Sequence, residues 1–397
     1  MAITAHPGLQ DDPIYLDYNA TTPVDPKVLD AMWPYLSRHF GNPSSSHAYA
    51  EVTRQAVREA REQVALLLGT QPHEIVFTGC GSESDTLAIR GAALAAQHRG
   101  KHIITQVTEH PAVLNICHAL TRLHGFRLTI LPVDQHGQVS PADVEAAIDD
   151  QTVLVTIMHA NNETGTVQPI AEIAEIAHRH GALMHTDAAQ SIGKIPVDIA
   201  ALGVDLLTVA GHKLYAPKGI GALYIRQGLQ LEPAIYGGGQ EAGRRAGTEN
   251  VALMVALGAA ATLAGEQLAT SMARLQALRD HLYRVLGQSL PTIVHLNGHP
   301  QERLPNTLNI SIDGVIGEEV IAATSSVATA TGSACHEGHT EPSAVLMAMG
   351  RSREQALGAL RLTLGRWSTI EEVERAARSL SQTVDSLRRK EYNRDAK

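Results

Sequence analysis

The sequence contains few cysteines and few aromatic residues. Its 397 residues include 3 cysteines, and phenylalanine, tryptophan and tyrosine together make up 4%. An odd, sparse set of cysteines argues against a disulfide framework and favours a reducing compartment. Cys80, Cys117 and Cys335 show no C-x-x-C spacing. We therefore expect neither structural disulfides nor a metal site.

The chain also lacks an excess of positive charge and a long apolar segment. Its 32 lysines and arginines are outnumbered by 41 aspartates and glutamates, which gives a net charge of −9 and argues against nucleic acid as a partner. The first residues form no apolar signal core, and no run approaches the ~18 apolar residues of a membrane span. These absences predict a soluble, cytoplasmic protein without membrane contact.

Strand-like and helix-like segments alternate through the first half of the chain. Short apolar runs predict strands, and apolar residues at helical spacing predict the helices between them. Repeated strand–helix–strand units imply an α/β fold with a mostly parallel sheet covered by helices on both faces. The predicted strands are 74–78, 102–105, 127–132, 153–158, 183–186 and 206–209, and the predicted helices are 82–98, 111–123 and 170–180.

After about residue 250 the pattern changes to α+β, which we interpret as a second, smaller domain. The predicted helices are 251–286, 318–323 and 369–389, and the predicted strands are 292–296, 306–312 and 328–331.

A lysine follows the predicted strand that ends at Val209. Lys213 lies in Ala210-Gly211-His212-Lys213 and is followed by a loop rich in glycine and proline. Ligands of parallel α/β proteins bind outside the carboxyl ends of the strands, so this position favours function. A solvated surface lysine is the alternative for this residue taken alone.

Two further motifs follow predicted strands. Asp187 ends another apolar strand, where a nearly buried carboxylate needs a cationic partner such as a pyridinium nitrogen. A helix N-cap is the alternative. The segment from Thr78 to Ser84 opens a helix with small residues and predicts a phosphate site. A dinucleotide fingerprint is excluded because Ser84 replaces the third glycine.

Taken together with further motifs, these segments make the chain resemble the cysteine desulfurases, which are pyridoxal-phosphate enzymes with the class V aminotransferase fold. The likeness extends from residue 15 to residue 366. The motifs that carry it include Tyr15-Leu16-Asp17-Tyr18-Asn19, Gly41-Asn42-Pro43, Thr108-Glu109-His110, Asn161-Asn162-Glu163-Thr164-Gly165, Gly237-Gly238-Gly239-Gln240-Glu241, Ala246-Gly247-Thr248-Glu249-Asn250 and Gly332-Ser333-Ala334-Cys335.

The resemblance implies a fold type I enzyme with two domains. A large domain over residues 15–265 would hold a mostly parallel seven-stranded sheet and the cofactor. Residues 1–14 and 266–397 would form a smaller α+β domain that carries the loop with the catalytic cysteine.

The resemblance also implies a role for each site residue. Lys213 would hold pyridoxal phosphate as a Schiff base and move the Cα proton, and Asp187 would pair with the pyridinium nitrogen. Gln190 would bond the ring phenolate, and His110 would stack on the ring and move a proton on the substrate sulfur. The residues implied at the phosphate are Gly81, Ser82, His212 and, from the neighbouring subunit of a homodimer, Thr248. Arg361 would bind the substrate carboxylate. Asn162 would lie near both that carboxylate and the ring oxygen.

Cys335 becomes the nucleophile by the same resemblance. It lies in a small, polar stretch without apolar periodicity, which suits a mobile loop and an exposed, reactive thiol. Cys80 and Cys117 are expected to be inert. A metal site of Cys335, His336 and His339 is the weaker alternative, since no second ligand cluster is evident.

Four positions depart from the commonest desulfurase pattern. Ala210 replaces a serine, Cys80 a glycine and Ala242 an arginine. His336 directly after Cys335 is similar to selenocysteine lyases, whereas the spacing from Cys335 to the downstream Glu-Pro-Ser motif matches the longer-loop desulfurases.

The predicted function is conversion of L-cysteine to L-alanine, with sulfur transferred to Cys335 as a persulfide for delivery to an acceptor protein. The alternatives are a selenocysteine lyase, a cystine or cysteine β-lyase of the same fold, and a non-enzymatic sulfur-carrier or regulatory protein that has kept the fold.

Overall fold

The computed structural model describes residues 6–332, 335–336 and 339–395, with side chains for 6–332 and 341–390. The described strands are β1 (Ile14–Tyr15), β2 (Ile75–Thr78), β3 (His102–Gln106), β4 (Arg127–Leu131), β5 (Thr152–Thr156), β6 (Leu183–Asp187), β7 (Leu206–Ala210), β8 (Gly221–Ile225), β9 (Val294–Asn297), β10 (Thr307–Ile312), β11 (Val327–Ala328), β12 (Cys335–His336), β13 (His339–Thr340) and β14 (Ala359–Thr363).

The helices cover both faces of the sheet and most of the second half of the chain. They are α1 (Pro26–Ser37), α2 (Tyr49–Leu68), α3 (Gly81–Ala96), α4 (Pro111–His124), α5 (Pro141–Ala147), α6 (Ile170–Arg179), α7 (Ile199–Leu202), α8 (Val251–Ser289), α9 (Gly317–Ala323), α10 (Ala344–Ala348), α11 (Arg353–Leu357) and α12 (Ile370–Asp395).

A seven-stranded sheet in the order β2-β8-β7-β6-β5-β3-β4 forms the centre of the fold. The strands from β4 to β7 pair in parallel, and β8 is antiparallel to both β7 and β2. In β3, Ile103 and Ile104 belong to different apolar clusters because successive side chains of a strand point to opposite faces. The prediction of a mostly parallel seven-stranded α/β sheet is confirmed.

Most predicted strands and helices lie within two residues of the observed bounds. Two differences concern the strands. The alternation of strands and helices does not predict β8, which joins the sheet as an antiparallel strand. The predicted strand over 328–331 is wrong in extent, because β11 ends at Ala328 after pairing in parallel with β1, and Ala330 forms only an isolated bridge to Arg361.

Helix α8 contributes residues to two separate apolar clusters. Its residues up to Ala264 pack in the larger cluster beside the central sheet, and its residues from Leu275 onward pack in a smaller one. The smaller cluster also contains residues of the antiparallel sheet β14-β10-β9 and of α12. The predicted boundary after residue 265 falls between these two parts of α8, and the division into two domains stays a prediction.

Among the described residues, α8 is long and apolar enough to cross a membrane by length and composition alone. The expectation that no run approaches that length therefore needs correcting. Just over half of the apolar window is buried within the fold, and Ala256, Leu257 and Ala260 are almost fully enclosed. A buried core helix of a globular protein has the same apolar character.

Candidate active site

A cavity of about 420 Å³ opens at the carboxyl ends of β6 and β7, next to the N-terminus of α3. This volume is in the range of small-molecule sites. Nine of the eleven predicted site residues line it, which brings together side chains far apart in the sequence. The lining residues are Asn19, Ala20, Cys80, Gly81, Ser82, Asp85, His110, Met158, Ala160, Asn162, Asp187, Ala189, Gln190, Ala210, His212, Lys213 and Arg361.

Lys213 is delivered to the cavity by a single 3₁₀ turn that directly follows β7. The turn is tight: a Cβ on Gly211 would lie 2.8 Å from the carbonyl oxygen of Ile220, so glycine is required there. The Lys213 Nζ donates to the carbonyl oxygens of Asn19 and Ala20. Burial, followed by the charge of Arg361, lowers the Lys213 pKa to about 8. A larger fraction of neutral amine is available near neutral pH as a result.

Asp187 is the last residue of β6 and is 7% exposed. Its Oδ1 accepts a hydrogen bond from the Ala189 amide at 2.9 Å. Burial raises its pKa, while that hydrogen bond and the charges of His110 and Lys213 oppose the rise. No cation lies within ion-pair distance of Asp187 among the residues that the structure describes. The carboxylate therefore faces the cavity without a charged partner.

The first turn of α3 forms a cradle at one wall of the cavity. Gly81 and Ser82 begin this helix, whose first amides have no acceptor inside it. A Cβ on Gly81 would lie 3.1 Å from the Cβ of Ala210, so glycine keeps the cradle open. His212 lies opposite, and its Nδ1 is 3.2 Å from the Thr21 hydroxyl. Burial, followed by the charges of nearby lysines, lowers the His212 pKa to about 4 and keeps the ring neutral.

His110 caps α4 at another wall of the cavity. Its Nδ1 accepts a hydrogen bond from the Ala112 amide at 3.1 Å, which leaves the proton of the neutral ring on Nε2. Loss of hydration lowers its pKa, the charge of Lys213 lowers it further, and Asp187 opposes both effects. The ring is thus a neutral donor beside the lysine.

Arg361 reaches the cavity from β14. Its Nη2 donates to Asp17 Oδ1 at 2.8 Å, and its Nη1 lies 3.4 Å from the carbonyl oxygen of Asn162. Its buried Nε has no hydrogen-bond partner among the described residues. The guanidinium retains donor capacity for a carboxylate.

One predicted residue is not brought to the cavity, and another has no described side chain. Thr248 is exposed and does not line it. The backbone of Cys335 forms β12, which pairs with β13, but its side chain lies outside the described residues, as do the side chains of His336 and His339. The predicted mobile cysteine loop falls on this segment and lies outside the described side chains.

Sequence reasoning missed a second carboxylate in the cavity. Asp85 lies one helical turn after Gly81, on the same face of α3, and is 2% exposed. Its Oδ1 has no hydrogen-bond partner within the described part of the chain, and burial together with the charge of Asp187 raises its pKa well above the usual range. Its spacing of four from Gly81 is the signal that could have found it.

A third buried carboxyl group is close to these two. Burial raises the Glu109 pKa to about 8, although its Oε1 accepts the Met158 amide at 2.6 Å. The charge of Asp187 contributes to the same rise. Glu109 directly precedes His110 but does not line the cavity.

The sequence profile of the family Aminotransferase class-V matches residues 14–376. The chain belongs to this family.

Relatives in the class-V aminotransferase family cover nearly the whole chain. Cysteine desulfurase IscS of Dictyoglomus turgidum is 46% identical over 377 residues, which are 94% of this chain and 95% of that protein. The IscS of Anaeromyxobacter dehalogenans is 48% identical over 379 residues, 95% of this chain and 93% of that protein.

Solved structures show the same arrangement. A NifS-like protein superposes with a TM-score of 0.88 at 36% identity, covering 94% of this chain and 99% of that chain. SspA in complex with cysteine gives a TM-score of 0.79 at 39% identity, covering 89% and 99%. The similarity therefore extends over the sheet, the cavity and the smaller cluster.

The departures from the desulfurase pattern lie at different distances from the cavity of this class-V family member. Ala210 and Cys80 both line it, so the missing serine hydroxyl and the added thiol lie at the predicted phosphate cradle. Ala242 is exposed and has a left-handed backbone with φ of 56°.

The described residues contain no group of three or more histidine, cysteine, aspartate or glutamate side chains that could hold a metal ion.

The cavity fits the pyridoxal phosphate on which this family depends. The cradle that begins at Gly81 provides amides for a phosphate, Asp187 provides a carboxylate without an ion pair for a ring nitrogen, and Lys213 provides the amine. These three groups line one cavity.

Proposed function

We propose that this chain is a pyridoxal-phosphate-dependent cysteine desulfurase that converts L-cysteine to L-alanine and leaves the sulfur on Cys335 as a persulfide. The observation that carries the proposal is that one cavity holds the Lys213 amine, the Asp187 carboxylate without an ion pair, and the Arg361 guanidinium. Cytoplasmic localisation is part of the same proposal.

The bound cofactor would supply an electron sink for the substrate Cα. Lys213 holds the cofactor and then takes and returns the Cα proton. Asp187 keeps the ring nitrogen protonated, and the amides at Gly81 and Ser82, with His212, hold the phosphate. Gln190 and Asn162 donate near the ring oxygen.

Arg361 orients the substrate by binding its carboxylate. Arg361 lines the cavity, and a guanidinium that already contacts Asp17 has further donors for a second carboxylate. His110 lines the same cavity, and its Nε2 proton is available for donation to the substrate sulfur.

Sulfur transfer balances without an added oxidant. The Cys335 thiolate attacks the substrate sulfur, an S–S bond forms, and the Cβ–S bond breaks. The electron pair of that bond stays with the organic fragment, which gains protons and leaves as alanine. A thiol of an acceptor protein then takes the sulfur from the persulfide.

We also propose a homodimer in which the partner subunit's Thr248 reaches the phosphate. Its exposure and its distance from the cavity of its own subunit support this role. Exposed aromatic residues on α1 and just beyond it, Trp33 at 61% and Phe40 at 80%, favour an apolar subunit interface. Light scattering of the purified protein gives its molecular mass and so tests whether it is a dimer.

The function is tested by incubating the purified, cofactor-loaded protein with L-cysteine and analysing both products by mass spectrometry. We expect free alanine and one additional sulfur on the peptide that contains Cys335. Cys335→Ala should abolish both, whereas Cys117→Ala, which removes a buried thiol of α4, should retain them. Alanine formation by Cys335→Ala at the wild-type rate would refute the assigned nucleophile.

Two alternatives yield different products in the same assay. His336 directly after Cys335 favours selenocysteine as a second substrate, and selenide release from Cys335→Ala would identify a lyase. Pyruvate and ammonia in place of alanine would identify a β-lyase. A colourless protein that binds no pyridoxal phosphate would leave only a non-enzymatic role.

A further inference from the structure

Lys194 is a buried cation that the proposed mechanism does not use. It is 9% exposed, and its Nζ donates to Gln190 Oε1 at 2.7 Å and to Asn19 Oδ1 at 3.0 Å. No carboxylate lies within ion-pair distance of it among the residues that the structure describes. Burying a cation beside neutral amides is costly, so its presence here calls for a ligand or a role.

The contacts of Lys194 fix the orientation of the Gln190 side chain. An ammonium group has only donors, so it must face the amide oxygen of Gln190. The Gln190 Nε2 donates to the carbonyl oxygen of Asn19 at 3.0 Å, which can only accept. One N–H of Nε2 remains unused, and Gln190 lines the cavity beside Lys213.

Asn19, the second hydrogen-bond acceptor of Lys194, makes several further hydrogen bonds. Asn19 Oδ1 also accepts from Asn306 Nδ2 at 3.0 Å, and Asn19 Nδ2 donates to the Thr307 hydroxyl at 2.9 Å. The Asn19 carbonyl oxygen accepts from Lys213 as well as from Gln190. Lys194 thus belongs to a hydrogen-bond network in which both contacts of the Gln190 amide favour one orientation.

We propose that Lys194 is a positioning residue, which holds the Gln190 amide so that its free N–H donates to the anionic ring oxygen of the bound cofactor. The inference rests on the proposed function, because the anion it needs is that of pyridoxal phosphate. The anionic ring oxygen then compensates the charge of Lys194, and the Gln190 amide lies between the two groups. Without Lys194 only the Asn19 carbonyl oxygen holds the amide in this orientation, so the amide is held less firmly.

The test is a pH titration of the visible absorption of the cofactor-loaded protein, followed without substrate. A cation and a donor near the ring oxygen favour the deprotonated linkage between Lys213 and the cofactor, since that form carries more negative charge. Lys194→Met should therefore raise the pKa of the linkage by about one unit. Gln190→Leu should raise it as well, and the double variant should match Gln190→Leu.

Arg303 provides a matched control for the loss of a buried cation. It is 7% exposed and donates to the carbonyl oxygens of Thr164 and Thr307, but it does not contact Gln190. Arg303→Met should leave the pKa of the linkage unchanged. An equal shift in Arg303→Met, a wild-type pKa in Lys194→Met, or additive shifts in the double variant would overturn the proposal.

Two further measurements separate the possible failures. If Lys194→Met does not fold, Lys194→Gln keeps a donor to Gln190 without the charge and should shift the pKa in the same direction by a smaller amount. A wild-type titration in that variant overturns the proposal. If the wild-type protein forms no visible band with added pyridoxal phosphate, the proposed function itself has failed.

Discussion

The cavity has two ends of opposite chemical character. We call Asp85 and Asp187, with the adjacent Glu109, the acidic end, and Lys213 and Arg361, with the adjacent Lys194, the basic end; Glu109 and Lys194 do not line the cavity themselves. Burial raises the pKa of each carboxyl group at the acidic end and lowers the pKa of both lysines at the basic end. Burial thus makes charge costly on the carboxyl groups and on the two lysines while the cavity holds no charged ligand.

The difference between the ends shows what kind of molecule the cavity suits. Opposite charges that share a cavity usually pair, yet Asp187 and Lys213 do not form an ion pair in the described structure. A ligand with a cationic nitrogen at the acidic end and anionic oxygens at the basic end would supply both missing partners. Groups fixed before such a ligand arrives need little rearrangement during the reaction.

The largest effect is expected from removing the amine of the basic end. Lys213→Ala should reduce alanine formation on the order of 10⁴-fold, because the proton acceptor at Cα is lost. Lys218→Ala, an exposed lysine of the same loop, is the matched control and should behave like the wild type. Chromatographic detection of alanine measures both. Comparable losses in the two variants would contradict a specific role for Lys213.

Two matched variants distinguish the roles of Asp187 and Asp85 at the acidic end. Asp187→Asn should lower turnover by about 10²-fold or more, because an amide cannot keep a ring nitrogen protonated. Asp85→Asn should remain within about threefold of the wild type, because asparagine resembles the protonated acid that burial favours there. Steady-state rates with L-cysteine distinguish them. Equal losses would mean that both carboxylates act in their charged form.

A smaller effect is expected at the substrate-binding edge of the basic end. Arg361→Lys should raise KM for L-cysteine about tenfold with a lesser change in kcat, because lysine cannot make the bidentate contact. Arg366→Lys provides a control, since that arginine stacks 4.2 Å from the Tyr215 ring and does not line the cavity. A kcat effect without a KM effect would instead indicate a role after binding.

The smallest expected effect is a shift in pH dependence. The rate of pyridoxal-phosphate attachment to the cofactor-free protein should rise with pH and level off above about pH 8, the pKa to which burial lowers Lys213. Arg361→Leu should move the plateau to higher pH, because the charge of Arg361 also lowers that pKa. Stopped-flow absorbance measures the rate. A plateau that does not move would show that burial alone sets the pKa.

The sequence predicted the fold well where local signals agree with tertiary structure. The strands around Ile103 and Leu207 are short apolar runs between helices, and they form the parallel part of the sheet. The antiparallel strand β8 was missed because Gly221–Ile225 follows a loop and no helix separates it from β7. Strand direction depends on pairing partners, which a periodicity does not reveal.

The site was predicted mainly from motifs at strand ends, and its buried neighbours were not. Lys213 and Asp187 follow recognisable strands, so their meeting at one edge was expected. Asp85 and Lys194 carry no such signal, because their character comes from burial and from partners distant in sequence. The contact of Lys194 with Asn19, for example, spans 175 positions of the chain.

Helix α8 has a consequence for how the molecule unfolds. Its 39 residues extend for about 58 Å at 1.5 Å each, and the stretch between Ala264 and Leu275 contains no buried residue. The helix is therefore anchored at both ends by different apolar clusters and continuous in between. Loss of either cluster removes the support of a helix that the other cluster needs, so calorimetry should record one cooperative heat-absorption peak.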